Sequence, residues 1–214
     1  MDEEVTIIDS NTRNEKIKNF LINNKKNLIV GFFIILVVII GCLSVIQMKE
    51  RNKIELANQF NITTINFKTE TKQKTIDQLM KLINENDPTY SPLALYFLID
   101  NNLIKNKEDT NDLFNKLINE TNLDEEIKNL IIYKKALFNS DFESESRLLQ
   151  ILNPIINSES IWKSHALYLM AEYFYSKNEK QKSKEFFIKI LTLVNSNSDI
   201  KAEAQKRINR DFSE

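Results

Sequence analysis

The hydrophobic pattern of the chain changes character once, near residue 48. Residues 28–46 read LIVGFFIILVVIIGCLSVI, nineteen residues without a charged side chain. At about 1.5 Å per residue, a helix of this length spans about 29 Å, close to the thickness of the hydrocarbon core of a bilayer. The segment therefore predicts one transmembrane helix, placed at residues 28–48.

Beyond residue 48, apolar side chains recur at the three-to-four-residue spacing of amphipathic helices. Short polar loops, many of them rich in Asn and Asp, separate the periodic segments. The pattern predicts helices over residues 49–67, 73–86, 91–104, 110–120, 124–139, 143–156, 160–176, 180–194 and 198–211. We therefore expect residues 49–214 to form one helical domain.

These helices are predicted to repeat in pairs. The first helix of each pair begins near residues 55, 91, 126 and 161, a spacing of about 35 residues that is typical of tetratricopeptide solenoids. In the last pair, Ala171 and Ser183 take the positions where two helices approach closely. The predicted fold is all-α: a transmembrane helix, a tetratricopeptide-like solenoid of about four helix pairs, and a charged C-terminal capping helix.

Glycine usage supports a helical fold. The chain has two glycines, Gly31 and Gly41, and both lie in the apolar segment. Strand-rich domains use glycine for turns with positive φ, and phosphate-binding loops need it too. A helical domain can use Asn at such positions instead, because Asn tolerates left-handed backbone. P-loop and dinucleotide-binding sites are excluded, and we expect no cofactor.

The polar residues give no sign of catalysis or nucleic-acid binding. A net charge of −1 lacks the excess of Lys and Arg that binds phosphate backbones. The one histidine, His165, is interpreted as a polar helix residue, and acid clusters such as residues 124–126 as partners of helix dipoles. One cysteine cannot make a Cys-rich metal site. We expect neither an enzyme nor a protein that binds a metal or a small-molecule substrate.

The charges beside the apolar segment indicate its orientation. Three basic residues follow it, interleaved with acids, and five precede it: Arg13, Lys16, Lys18, Lys25 and Lys26. Basic residues favour the cytoplasmic side, whereas long domains translocate largely regardless of charge. We therefore expect a single-pass inner (plasma) membrane protein with a cytoplasmic stub, residues 1–27, and a periplasmic domain. The pattern of residues 13–26 predicts an amphipathic helix that lies near lipid head groups. Residues 1–12 are expected to be extended or disordered.

Cys42 leaves a second mode of anchoring open. The string Ile39-Ile40-Gly41-Cys42 resembles a lipoprotein cleavage box, in which the cysteine is lipidated. The region before it is long, however, and apolar residues continue past the cysteine. A cysteine that fills space in a membrane helix is therefore the preferred interpretation, with lipidation at Cys42 as the alternative.

One helix face is a candidate for binding proteins. With Ala171 on the packed side of helix 160–176, the opposite face presents His165, Tyr168, Glu172 and Tyr175. In tetratricopeptide stacks this face lines the concave groove where peptides or partner helices bind, and tyrosine is favoured in such contacts. These four residues are the predicted protein-binding site. Packing of the tyrosines against a neighbouring helix is the alternative.

Three stretches carry a family resemblance: NENDPTYSPLALYFLI from Asn84, SIWKSHALYLMAEYFYSKNEKQKSKEFFIKIL over residues 160–191, and IKAEAQKRI over residues 200–208. With the basic stub and single span, they resemble the YfgM-like family of ancillary Sec translocon subunits. The resemblance implies Sec translocon subunits and periplasmic chaperones as partners, and it implies no catalytic residues. A self-associating scaffold of the cell envelope is the alternative function.

Overall fold

The computed structural model describes residues 14–212, and over that range the chain is helical with ten α-helices and no strand. The all-α prediction is confirmed. The prediction of an extended or disordered segment at residues 1–12 lies outside the described residues. The chain divides after Leu56 into two units.

The first unit contains helix α1, residues 14–23, and most of helix α2, Lys25–Ile65. Among the described helices, α2 is the one that is long and apolar enough to cross a membrane, and by length and composition it is a candidate membrane span or signal sequence. Its apolar side chains from Leu28 to Met48 are exposed. Exposure of that many apolar groups is costly in water and favourable in lipid.

The predicted break between the span and the helix of residues 49–67 is absent. Helix α2 runs through it without interruption for 41 residues. The connecting residues, QMKERNKIEL, contain no Gly, Pro or turn signal, and Lys, Glu, Arg and Leu are strong helix formers. The change from apolar to charged side chains marks a change of environment, and the backbone continues through it as one helix.

The second unit holds eight further described helices, after a 3-10 turn at Thr69–Thr71. They are α3 Lys72–Asn84, α4 Tyr90–Asp100, α5 Lys107–Glu120, α6 Glu125–Asn139, α7 Glu145–Ile156, α8 Lys163–Ser176, α9 Lys180–Thr192 and α10 Ser198–Asp211. Each corresponds to a predicted helix. The largest difference at a C-terminus is in α4, which ends four residues before the predicted position.

Asparagine ends three of these helices in place of glycine. Asn86, Asn102 and Asn178 have φ of 51°, 51° and 61°, and they are the described non-glycine residues with positive φ. After α4, the amide of Leu103 donates to the carbonyl of Leu98, and Leu103 is buried. This Schellman arrangement explains why α4 stops early. The expected use of Asn at left-handed positions is confirmed.

This conformation predicts opposite effects for two substitutions at Asn178. Alanine should lower the free energy of unfolding by about 1 kcal/mol, because its Cβ disfavours left-handed backbone, whereas glycine should leave it unchanged or raise it by a few tenths. Urea unfolding of the full chain in detergent, followed by Trp162 fluorescence, measures both. A stability of the Ala variant equal to that of the Gly variant would contradict the assigned role.

Buried serines join two pairs of helices. The Ser183 hydroxyl on α9 donates to the carbonyl oxygen of Ala171 on α8 at 2.8 Å, and both residues are fully buried. The predicted close approach at these positions is confirmed. Between α3 and α4, the hydroxyl of Ser91 donates to the carbonyl of Leu82 at 2.7 Å. A small side chain and an internal hydrogen bond together allow the helix backbones to come close without leaving a buried polar group unpaired.

The packing order differs in part from the predicted pairs. Helix α4 packs more extensively on α3 than on α5, although the repeat paired α4 with α5. Later in the chain, α6 packs on α7 and α8 packs on α9, as predicted. Helix α8 also contacts α6 and α10, so alternate helices meet in this part of the unit. These contacts bring side chains of α6, α8 and α10 next to one another, and the Lys134 side chain of α6 lies over the Tyr96 ring of α4.

Candidate protein-binding face

The four predicted site residues lie along one stripe of α8, and each is half-buried. Three residues of the opposite stripe, Leu167, Met170 and Ala171, are buried in the core. The helix register assumed from the sequence is therefore the observed one. The structure places the four residues in two groups with different neighbours.

Glu172 and Tyr175 face helix α10. The Nη1 atom of Arg207 lies 2.5 Å from Oε1 of Glu172, and the guanidinium carbon lies 4.5 Å from the centre of the Tyr175 ring. The Nε of Arg207 also donates to Asp211 at 2.6 Å. Arg207 is buried, so α10 covers this end of the stripe. Neither Arg207 nor the covering role of its helix toward these two residues was predicted.

His165, at the other end of the stripe, belongs to an aromatic cluster between α6 and α8. Tyr133 stacks on Trp162 with ring centres 5.9 Å apart, and the His165 ring lies 5.0 Å from Trp162 and 5.8 Å from Tyr133. Burial lowers the pKa of His165, and its Nδ1 has no hydrogen-bond partner among the described residues. An imidazole packed beside two larger rings that stack on each other suits apolar and stacking contacts.

Tyr168 belongs to a row of three tyrosines. Tyr96 on α4, Tyr133 on α6 and Tyr168 on α8 are each half-buried, and each follows a buried aliphatic residue. They are separated by 37 and then 35 residues, close to the predicted repeat. We call these three residues the tyrosine row. Tyr96 and Tyr133 were not among the predicted site residues, although this spacing was a signal that could have identified them.

The tyrosine row predicts an alkaline titration that is displaced upward. Burial raises the pKa of Tyr96 to about 12, and burial together with the Glu172 carboxylate raises the pKa of Tyr168 to about 12. The unfolded chain should lose these protons near pH 10. The folded state should therefore keep its full stability below pH 10 and lose part of it as the pH rises from 10 to 12.

Ultraviolet absorbance of the phenolate, with and without denaturant, measures this titration. The native chain should show a high-pH component that the denatured chain lacks. Tyr96→Phe and Tyr168→Phe should each remove part of it. Identical titration curves for native and denatured chains would contradict the buried positions of these rings.

A cavity of about 220 Å³ lies beside Tyr96, the first residue of the tyrosine row, between α4, α5 and α6. Its walls and rim are formed by Tyr96, Ile99, Asp100, Phe114, Lys134, Leu137 and Phe138. The Lys134 ammonium lies 5.0 Å from the centre of the Tyr96 ring, a cation–π contact. The walls are mainly apolar and aromatic, while Lys134 and Asp100 are exposed at the rim. An apolar cavity of about 150 Å³ is enough to bind benzene, so this one has room for an apolar side chain.

The remaining polar residues form no further centre in the described part of the chain. Residues 14–212 contain no group of three or more His, Cys, Asp or Glu placed to hold a metal ion. Cys42 is exposed on α2, within the apolar segment. A second cavity of about 230 Å³, lined by Glu159, Ser160, Lys163 and residues 192–195, is more polar, so the half-buried aromatic groups and the cavity beside Tyr96 fit an apolar ligand better.

Comparison with known proteins adds no family to this description. No family model, curated protein or solved structure matches the chain. The resemblance to YfgM-like proteins consequently rests on the sequence: the three stretches, the basic stub and the apolar segment. Function has to be inferred from the geometry of the tyrosine row, the aromatic cluster and the cavity.

Proposed function

We propose that this chain is a membrane-anchored protein that binds another protein through the face formed by α4, α6 and α8. The tyrosine row carries the proposal, because it places one half-buried tyrosine at the equivalent position of three helices. Tyrosine and tryptophan contribute large, rigid contact areas at low entropic cost and are enriched among residues that dominate binding energy. A row of them along a stack of helices suits an extended or helical protein segment.

The cavity gives the proposed ligand a chemical character. An apolar side chain of the partner fills the cavity and packs against Phe114 and Phe138, where burial of its surface drives binding. Lys134 makes no ion pair among the described residues, and it is positioned at the rim to meet a carboxylate of the partner. Asp100 at the same rim disfavours a second negative charge nearby. The preferred ligand segment is thus an apolar residue next to a single acidic group.

The contacts among α6, α8 and α10 and the spacing of the tyrosine row support a tetratricopeptide-like arrangement for this face.

The exposed apolar surface of α2 supports a single membrane span. The flanking charges favour the periplasmic side for the second unit. Under the resemblance, the partners are Sec translocon subunits or periplasmic chaperones. Tethering raises the effective concentration near such partners, so that individual contacts can be weak. A cleaved and lipidated Cys42 is the alternative anchor.

Photo-crosslinking in cells tests the proposal at residue level. A crosslinkable amino acid replaces Leu137, whose side chain is 46% exposed at the cavity rim, in the full-length tagged protein. Ile188 on α9 is the matched control, because it is an aliphatic residue 44% exposed away from the face. We expect an adduct with an envelope protein at 137 and none at 188, and Trp162→Ala should weaken it. Adducts only between copies of this chain would support the scaffold instead, and equal adducts at both positions would contradict the proposal.

A further inference from the structure

Helix α1 has an exposed amphipathic face that the binding function does not use. Ile17, Phe20 and Leu21 follow the i, i+3, i+4 spacing of one helix face, and they are 51%, 59% and 50% exposed. Glu15, Asn19 and Asn23 lie on the opposite side of the helix, where Ile22 is the one exposed apolar side chain among the described residues of α1. Apolar side chains of this size, exposed together, indicate a surface that is covered in the functional state.

Lysines flank that face and continue into α2. Successive helix positions are about 100° apart, so Lys16 and Lys18 lie on either side of Ile17. Lys25 and Lys26 follow at the start of α2. Residues 14–26 hold these four lysines and one acid, Glu15, and the lysines are exposed with no ion pair among the described residues. Lysines beside an apolar face can extend their ammonium groups outward to phosphates while the apolar groups enter the acyl region.

Asn24 separates the two helices, and helical hydrogen bonds continue across it: its amide donates to the Phe20 carbonyl oxygen at 3.0 Å, and the Leu28 amide donates to the Asn24 carbonyl oxygen at 2.9 Å. The residue is a turn between α1 and α2, and its side-chain Nδ2 donates to the carbonyl oxygen of Phe20 at 3.0 Å. A side chain that competes for a helix carbonyl is a recognised cause of helix bending. Four residues later the uncharged apolar segment begins. The apolar face of α1 lies seven to eleven residues, or about two to three helical turns, before the start of the proposed span, with Asn24 between them.

We infer that α1 is an interfacial helix that binds the surface of an anionic bilayer, with Ile17, Phe20 and Leu21 in the lipid and the four lysines on anionic head groups. The inference rests on the proposed membrane anchor, because α2 holds α1 at the surface. Binding of α1 to the surface should depend on the charge of the lipid, whereas insertion of the anchor does not require charged lipid. Each lysine near an anionic surface favours the bound state by about fivefold.

The full-length protein in lipid vesicles tests the inference. A Cys42→Ser background carries one environment-sensitive label, either in a Phe20→Cys variant or, as the matched control, in an Asn19→Cys variant on the opposite face. A water-soluble quencher then measures exposure in vesicles of phosphatidylcholine alone or with phosphatidylglycerol added. We expect the label at position 20 to be several-fold less quenched than the label at position 19 in anionic vesicles, and this protection to decrease in neutral ones.

Charge variants provide the second measurement. Lys16→Gln with Lys18→Gln should lower the ratio of bound to free α1 about 25-fold, at about fivefold per lysine. The matched pair Lys105→Gln with Lys180→Gln, exposed on the second unit, should not change it. Protection that is independent of lipid charge and of Lys16 and Lys18 would overturn the inference. Protection seen in cell membranes but absent from pure lipid would also overturn it and indicate a protein contact.

Carbonate extraction separates this outcome from failure of the anchor. Retention of the chain in vesicles after an alkaline wash, with equal quenching at positions 19 and 20, overturns only the interfacial role of α1. Release of the chain by the wash overturns the membrane span and the interfacial helix together. Retention with selective protection at position 20 supports both.

Discussion

Replacing Phe174 with alanine should lower the free energy of unfolding by about 3–5 kcal/mol, the range for removal of a fully buried aromatic side chain. Phe174 is 1% exposed in the core formed by α6, α7 and α8, and its ring lies 5.4 Å from that of Phe186 on α9. The substitution would leave a cavity at the junction of several helices. Closing it would require shifts in more than one helix pair.

Phe142→Ala is the matched control for this prediction. Phe142 is 38% exposed, and its contacts are the Phe138 ring and the Lys107 ammonium. Its loss should cost less than about 1.5 kcal/mol, because part of the side chain is already in water. Trp162 fluorescence during urea unfolding of the full chain in detergent measures both variants. Equal losses at the two positions would show that the core is not centred on α8.

Arg207→Ala should cost about 2–4 kcal/mol, because it removes the positive partner of the partly buried Glu172 carboxylate and one of the two arginines that pair with Asp211. The side chains of Glu172 and Asp211 are 34% and 9% exposed. The guanidinium also packs on the rings of Tyr175 and Phe187. We expect α10 to detach from α8 in this variant before the rest of the unit unfolds.

Arg210→Ala tests whether charge alone explains the effect. Arg210 contacts the same Asp211 carboxylate from the same helix, but its side chain is 57% exposed. An exposed ion pair contributes only about 0–1 kcal/mol, so this variant should unfold almost as the unchanged chain does. Hydrogen exchange at the α10 amides resolves detachment of the helix from global unfolding. Equal exchange in the two variants would contradict the role of Arg207 as the contact that holds α10.

Local features of the sequence were enough to predict the helices. The spacing of hydrophobic residues, the polar loops and the scarcity of glycine predicted the all-α fold class and most helix boundaries, because each of these signals acts within one helix or loop. The end of α4 was misplaced because Leu103, an apolar residue that extends the helical pattern, serves instead as the buried contact of a helix-ending motif. The continuity of α2 was missed because a change in polarity was interpreted as a change in backbone.

The sequence predicted only the part of the candidate site that lies on one helix, α8. The stripe on α8 followed from the position of Ala171, but its neighbours depend on how helices meet. Arg207 is 35 residues from Glu172 along the chain, and no local pattern distinguishes it from Arg210.

A group of polar contacts between α5 and α6 could not be predicted for the same reason, because it also depends on how two helices meet. Asn111 and Asn139 exchange side-chain hydrogen bonds there, and buried Lys135 donates to Asn115. Burial lowers the pKa of Lys135, an environment that helical periodicity does not indicate.

The order of contacts in the second unit has a consequence for its biogenesis. From α3 to α10, the extensive contacts join helices that are adjacent or next but one in the chain. Such a topology has low contact order, and loop closure costs little before each contact forms. Each helix can dock on its predecessor as soon as it has itself left the ribosome. The unit can thus assemble vectorially, from its N-terminal helices onward, without waiting for a distant segment to complete its core.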